Sequence, residues 1–189
     1  RSEMKELVFL LEEPSMLEVM KVLTQSLVPK DVLCRFIRHE GIRDLERSMP
    51  RKLRGWINAD AAFVVVREMH SGDCKSIKQD LLNLCRQGRR PETLVHIVCH
   101  ELESWFLGDL AAVEKAFPSR RVARHQNKSK YWNPDRLANA ADELRRLVPE
   151  YQKIGGSRKI APNMKIEENK SHSFHVLIDG IRQLASKIS

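Results

Sequence analysis

Residues 61–74 read AAFVVVREMHSGDC. The run Phe63, Val64, Val65, Val66 is aromatic and β-branched without a polar interruption, the pattern of a strand covered on both faces. It stops abruptly in Arg67, Glu68, His70, Ser71, Gly72 and Asp73, a polar turn with three possible metal ligands and a glycine that permits tight backbone geometry. A buried strand that ends in acids suits phosphate or metal chemistry. It equally suits the start of a helix, where the dipole favours negative charge. The neighbouring segments decide how the stretch is read.

The same unit recurs on either side. LVFLL (residues 7–11) reads as a strand ending in Glu12, Glu13 and Pro14. Pro14 suits a first helical turn, and Leu17, Met20, Leu23 and Leu27 follow at helical spacing. VLCRFI (32–37) ends in Arg38, His39, Glu40 and Gly41 and leads into a helix over 43–56 that Pro50 is expected to kink or restart. After the central stretch, a helix over 76–86 turns Ile77, Leu81, Leu84 and Cys85 inward. LVHIVC (94–99) ends in His100, Glu101, Leu102 and Glu103, and one helix carrying Leu102, Trp105, Phe106, Leu110 and Val113 is expected next. Four strand–helix units in succession predict an α/β fold, a mainly parallel sheet of about four strands with helices on both faces.

Beyond Phe117 the pattern changes. PSRRVARHQNKSKYWNP (118–134) is polar, basic and without periodicity. An amphipathic helix over 135–147, a loop holding Gly155, Gly156 and Pro162, and a closing helix from about Phe174 are expected, with Ser171 or Ser173 as its N-cap. The plan is one domain over 1–189: an α/β core at 1–117, then a basic loop and C-terminal helices at 118–189.

With 189 residues, 42% of them hydrophobic, the chain can build a core without staples. No apolar stretch approaches the roughly 20 residues that span a bilayer. The start RSEMKELVFLLEEP has acids where a signal peptide would be apolar, so no membrane role and a cytoplasmic location are expected. Cys34, Cys74, Cys85 and Cys99 show no CxxC spacing and read as reduced thiols. A net charge of +8 favours an anionic partner, most simply nucleic acid. Neither a GxxxxGK loop nor a GxSxG elbow occurs, which disfavours ATP hydrolysis and serine esterase chemistry.

In open parallel sheets, ligands bind beyond the carboxyl ends of the strands. Each expected strand delivers acids to that edge: Glu12 and Glu13, Glu40, Glu68 and Asp73, Glu101 and Glu103. Clustered carboxylates repel one another unless a cation or protons compensate. Hard cations are held by a few carboxylates and keep open positions for substrate phosphates. His70 adds a neutral nitrogen, which suits Zn²⁺, Mn²⁺ or Ni²⁺ better than Mg²⁺. A structural zinc site is disfavoured, because strand alternation sends His96 and Cys99 to opposite faces. Arg120, Arg121, Arg124, Lys128 and Lys130 could neutralise phosphates, and Trp132 beside Tyr131 could stack on bases or anchor a solvated loop. Arg51, Lys52 and Arg54 read as a solvated helix end.

LVFLLEEPSM (7–16), FVVVREMHSGDC (63–74), CHELESWFLGD (99–109) and NKSHSF (169–174), in this order and spacing, resemble the prokaryotic family known as domain of unknown function 4276, which is Toprim-like. Toprim domains occur in topoisomerases, primases and overcoming-lysogenization-defect nucleases, with a glutamate after the first strand and a DxD motif after the third. The resemblance implies a Toprim-like fold with a C-terminal helical extension and Mg²⁺- or Mn²⁺-dependent phosphodiester chemistry on nucleic acid. Some family members look like phage-defence components beside an ATPase partner. On the matching positions, Glu12 stands for the Toprim glutamate, Glu68 and His70 for the DxD aspartates, with Asp73 following. Glu101 and Glu103 match the acids of the ELE-aromatic motif. The expected catalytic groups are therefore Glu12, Glu68, Asp73 and Glu101, and the expected metal ligands Glu12, Glu68, His70, Asp73 and Glu103. The histidine in the altered DxD motif leaves a non-catalytic nucleic-acid-binding or adaptor subunit as the alternative.

Overall fold

The computed structural model describes residues 4–188. Four strands, β1 (Glu6–Leu11), β2 (Leu33–Arg38), β3 (Ala62–Glu68) and β4 (Leu94–Val98), form one sheet in the order β2–β1–β3–β4. All pairings are parallel, with Leu11 opposite both Arg38 and Val66, and Glu68 opposite Val98. The four carboxyl ends therefore line one edge.

The two central strands are buried along their whole length, as their unbroken apolar runs require. Alternate side chains enter two separate cores. Leu7, Phe9, Leu11, Val64, Val66 and Val98 pack on one side with α1 (Pro14–Leu27) and the C-terminal helices. Val8, Leu10, Phe63, Val65, Val95 and Ile97 pack on the other with α2 (Ile42–Arg54) and α3 (Cys74–Gln87). Helices thus cover both faces, as the four strand–helix units predict. The four cysteines are free thiols. No helix among the described residues is long and apolar enough to cross a membrane.

The local elements differ from expectation at several points. Of the two outcomes expected at Pro50, a kink or a restart, the restart does not occur: one helix runs over Ile42–Arg54. The single helix expected after β4 is two, α4 (Glu103–Leu107) and α5 (Leu110–Ala116). Asp109 caps α5 by accepting from the Ala112 amide, and its other oxygen takes the Lys165 amide at 2.7 Å. The helix expected over 135–147 begins only at α6 (Ala140–Leu147), after four short 3₁₀ turns that occupy the basic segment.

The expected loop around Gly155 and Gly156 is also wrong: both lie inside α7 (Lys153–Ile160). A Cβ on Gly156 would stand 2.3 and 2.4 Å from carbons of the buried Tyr151 ring, whereas one on Gly155 would meet nothing within 4 Å. Tertiary packing selects the second glycine, and the first carries only its helix-propensity cost.

The closing helix α8 (His172–Ile188) is capped by Ser171, whose Oγ accepts from the Phe174 amide at 3.0 Å. The same NKSHSF motif is a clamp. Asn169 donates to the Trp105 carbonyl, Ser171 donates to Asp135, and the Ser173 hydroxyl meets the Cys99 amide at 3.4 Å and His96 Nε2 at 3.1 Å.

Two substitutions separate these roles. Gly155→Ala is expected to raise unfolding free energy by about 0.5–1 kcal/mol. Gly156→Ala is expected to lower it by about 1–3 kcal/mol through overpacking against Tyr151. Urea denaturation of the two variants beside the parent checks both signs.

Candidate functional site

The site forms where β1 and β3 end. Glu12 follows β1 directly, and its amide continues the ladder to the Val66 carbonyl at 3.1 Å. Its carboxylate is buried and held at both oxygens: Oε2 accepts from the Glu68 amide and Oε1 from His70 Nε2, each at 2.7 Å. His70 reaches back over Glu12 because its backbone is left-handed, with φ of 53°. Such a conformation is uncommon for a residue with a Cβ, though histidine adopts it more readily than most. His100 takes the same conformation after β4, and its carbonyl accepts the His70 amide at 3.3 Å. Paired left-handed turns thus shape the edge.

Glu68 is fully buried. Oε1 accepts the Leu102 amide at 2.7 Å, while Oε2 has no hydrogen-bond partner and meets only the His70 ring nitrogen, at 3.5 Å. Burial first, then repulsion from Glu13, pushes this carboxyl up to about 8, against the pull of Lys153 and the Leu102 amide. Glu103, the first residue of α4, is also fully buried. One oxygen accepts from the Tyr151 hydroxyl at 3.0 Å and the other has no partner. Burial raises its pKa as well, again opposed by Lys153.

Lys153, at the start of α7, is the cation that serves this cluster. Its ammonium donates to both oxygens of Glu13 at 2.9 Å and lies 3.6 Å from Glu68 Oε1. Its pKa is raised: burial works against the charge, but Glu103, Glu68 and Glu13 together outweigh it. Neither Lys153 nor Tyr151 figures among the expected site residues, because the GG pair beside them reads as a loop. No periodicity in the sequence flags a lone lysine 140 residues from its partner.

Behind the site, His39 is fully buried after β2, donating from Nδ1 to the Leu11 carbonyl at 2.9 Å while Nε2 accepts from Lys52 at 2.7 Å. Burial lowers its pKa, which keeps the ring neutral and able to accept from Lys52. The chain leading into Glu12 is thereby fixed from two sides.

The remaining expected residues lie apart from this contact set. Asp73 is exposed and caps α3, accepting from the Ser76 amide at 2.9 Å and hydroxyl at 2.8 Å, which lowers its pKa. Glu101 accepts the Ala141 amide at 2.8 Å and so caps the start of α6. In the basic segment, Arg120 is paired with Glu150, and Lys130 with Glu143. Tyr131, not Trp132, is the anchor: its hydroxyl donates to buried Glu143 at 2.6 Å, while Trp132 is 66% exposed. Arg121, Arg124 and Lys128 are exposed and make no ion pair among the described residues.

The donor types are those that bind divalent cations, since His70 meets the buried carboxylates of Glu12 and Glu68 and one carboxylate oxygen is orphaned. Among the described residues, however, no group of three or more His, Cys, Asp or Glu side chains stands ready to hold one. The donors are closed on each other instead.

The fold is Toprim-like, a four-stranded all-parallel sheet with helices on both faces. Residues 30–182 match the family described as Domain of unknown function (DUF4276), and the chain belongs to that family. No curated protein matches it. Among solved structures, it is similar to the C-terminal region of the Burkholderia pseudomallei OLD protein, at 14% identity and a TM-score of 0.60 over 95% of this chain and 98% of that one. The C-terminal region of the Xanthomonas campestris pv. campestris OLD protein matches at 15% identity and a TM-score of 0.53 over 96% of each chain. At such identity the likeness is one of fold.

The raised Glu68 pKa carries a pH signature. Unfolded, the group ionises near 4.5; folded, near 8. Between these values the native state holds more protons, so native stability falls as pH rises, and above them the loss is complete. With chelator present, Glu68→Gln is expected to gain stability relative to the parent from about pH 5 to 8 and to show a constant difference beyond. Denaturant midpoints across pH for both proteins would reveal a flat difference if the assignment is wrong.

Proposed function

We propose that this chain is a phosphodiester-cleaving domain acting on nucleic acid, with Mg²⁺ or Mn²⁺ as its cofactor. The observation that carries the reading is the Glu12–Glu68–His70 contact at the carboxyl edge, with Glu12 held at 2.7 Å on both sides and Glu68 Oε2 left without a hydrogen-bond partner. The Toprim-like fold and the likeness to OLD C-terminal regions support it. Glu12, Glu68 and His70 would hold the cation, with His70 giving up its hydrogen bond to Glu12. When bound, the cation supplies Lewis-acid polarisation of a phosphoryl oxygen.

The chain's own residues do the rest. Lys153 offers its ammonium to a non-bridging phosphate oxygen in place of Glu13. Glu103, which accepts from the Tyr151 hydroxyl, helps keep Lys153 charged. Asp73 joins as a further ligand only by releasing Ser76, and Glu101 acts through the α6 terminus it caps. Arg121, Arg124 and Lys128 contribute phosphate contacts beside Arg120 and Lys130, and exposed Trp132 offers a stacking surface. Association with an ATPase-bearing partner, in phage defence or elsewhere, belongs to the same proposal and draws on the family resemblance. The closed donor set favours a second reading, a non-catalytic nucleic-acid-binding or adaptor subunit.

A nuclease assay on plasmid DNA and on RNA, with Mg²⁺ or Mn²⁺, is expected to show cleavage that chelator abolishes. Glu12→Ala should reduce it on the order of 100-fold or more, beyond what a merely supporting residue costs. Cleavage that survives Glu12→Ala would place the chemistry elsewhere. Binding without turnover in the parent protein would establish the second reading.

A further inference from the structure

Helix α2 carries five basic and two acidic residues, and their placement is not scattered. Leu45, Ser48, Met49 and Leu53 are its buried positions. Counting 100° per residue, Arg43, Arg47, Arg51 and Arg54 fall on the opposite side, straddling the direction that points straight out. All four are exposed. They form one row about 16 Å long, with successive members about 5–6 Å apart along the axis.

What marks this row is that four arginines without acidic partners among the described residues share one helix face. Some basic side chains find acids, as Arg120 does with Glu150, Arg158 with Glu18, Arg182 with Glu167 and Arg35 with Glu6, while others such as Arg121, Arg124 and Lys128 do not. None of the four α2 arginines has an ion pair within 4.0 Å among the described residues, although Arg54 donates to the Gln87 carbonyl at 2.9 Å. The helix's own acids are turned to other tasks, with Asp44 accepting the Glu40 amide and Glu46 holding Arg67 at 2.7 Å. Four unpaired like charges on one helix face repel one another, an arrangement that an anionic partner would relieve.

We propose that this arginine row binds the phosphate backbone of duplex nucleic acid and leads it toward the acidic edge. The row begins at that edge, because the N-cap of α2, Gly41, donates its amide to the Glu12 carbonyl at 2.9 Å. Guanidinium groups fit phosphate oxygens bidentately. The row lacks what other partners need. None of the large exposed apolar side chains lies on α2, so it offers no anchor of the kind a protein interface uses. Nor does an aromatic interrupt the row, as stacking on single-stranded bases would require. The direction of the track, though not the binding itself, rests on the acidic edge being a phosphodiester site.

Fluorescence anisotropy with a labelled DNA duplex, titrated over a range of NaCl, tests the proposal. The parent protein should bind with a steep salt slope, and R43A/R47A/R51A/R54A should lose about 3–4 from that log–log slope, at about 0.9 per phosphate contact. R47A/R51A should lose about half as much. Circular dichroism melts of both variants verify folding, and the double variant keeps the test decisive if the quadruple one misfolds. An unchanged slope in well-folded variants overturns the arginine row while leaving the Glu12 site intact. A loss reproduced in full by substituting only Arg121, Arg124 and Lys128 overturns it too, as does tighter binding to poly-glutamate than to DNA. No binding by the parent to this duplex or to an RNA duplex at any salt concentration overturns this proposal, while the nuclease assay above judges the functional reading separately.

Discussion

A lysine that arrives from far along the chain holds the acidic edge together. Glu12, Glu13, Glu68 and Glu103 converge where β1, β3 and β4 end, and two of them are fully buried. Such a group is unstable without positive charge or protons. Lys153 supplies the charge and His70 supplies a hydrogen bond, while the raised pKa of Glu68 supplies a proton near neutrality. Everything that fixes Lys153 therefore bears on the site. Gly156 lets Tyr151 pack closely, Tyr151 reaches Glu103, and α7 lies against α1 on the same face of the sheet.

The sheet explains why acids meet there at all. A parallel ladder without register breaks brings four carboxyl ends to one line, and hydrogen bonds beyond the last ladder positions carry that order into the loops. The Glu12 amide reaches Val66, the Met69 amide reaches Val98, and the His39 amide reaches Leu11. Glu12 is placed with the precision of a strand residue although it lies outside the strand. His70 is placed differently, through a left-handed backbone that turns its ring inward.

The layout of strands and helices could be read from the chain because each strand is a dense apolar run and each following helix repeats at 3.6 residues. Glu12 and Glu68 could be read as a pair for the same reason, since they stand at the ends of adjacent strands, whereas His70 joined them through the family resemblance and is placed by its left-handed backbone. Asp73, Glu101 and Glu103 could not be sorted this way. All three follow strands, yet one caps α3, one caps α6 and one faces Tyr151, and those partners are set by loops. The α7 segment was illegible because two glycines mimic a loop when packing against Tyr151 is what demands one of them. Trp132 and Tyr131 are neighbours with opposite fates, decided by the buried acceptor Glu143.

The 140-residue separation between Glu13 and Lys153 also fixes a temporal order. During synthesis the strands and their glutamates emerge well before α7, so the glutamates precede the lysine that compensates them. Domains generally fold as units. Here the carboxyl edge can close only once the last third of the polypeptide has docked. A ribosome-bound chain that ends before Lys153 lacks both the ammonium that holds Glu13 and the α7 and α8 side chains that complete one of the two cores, so charge compensation and core closure arrive together.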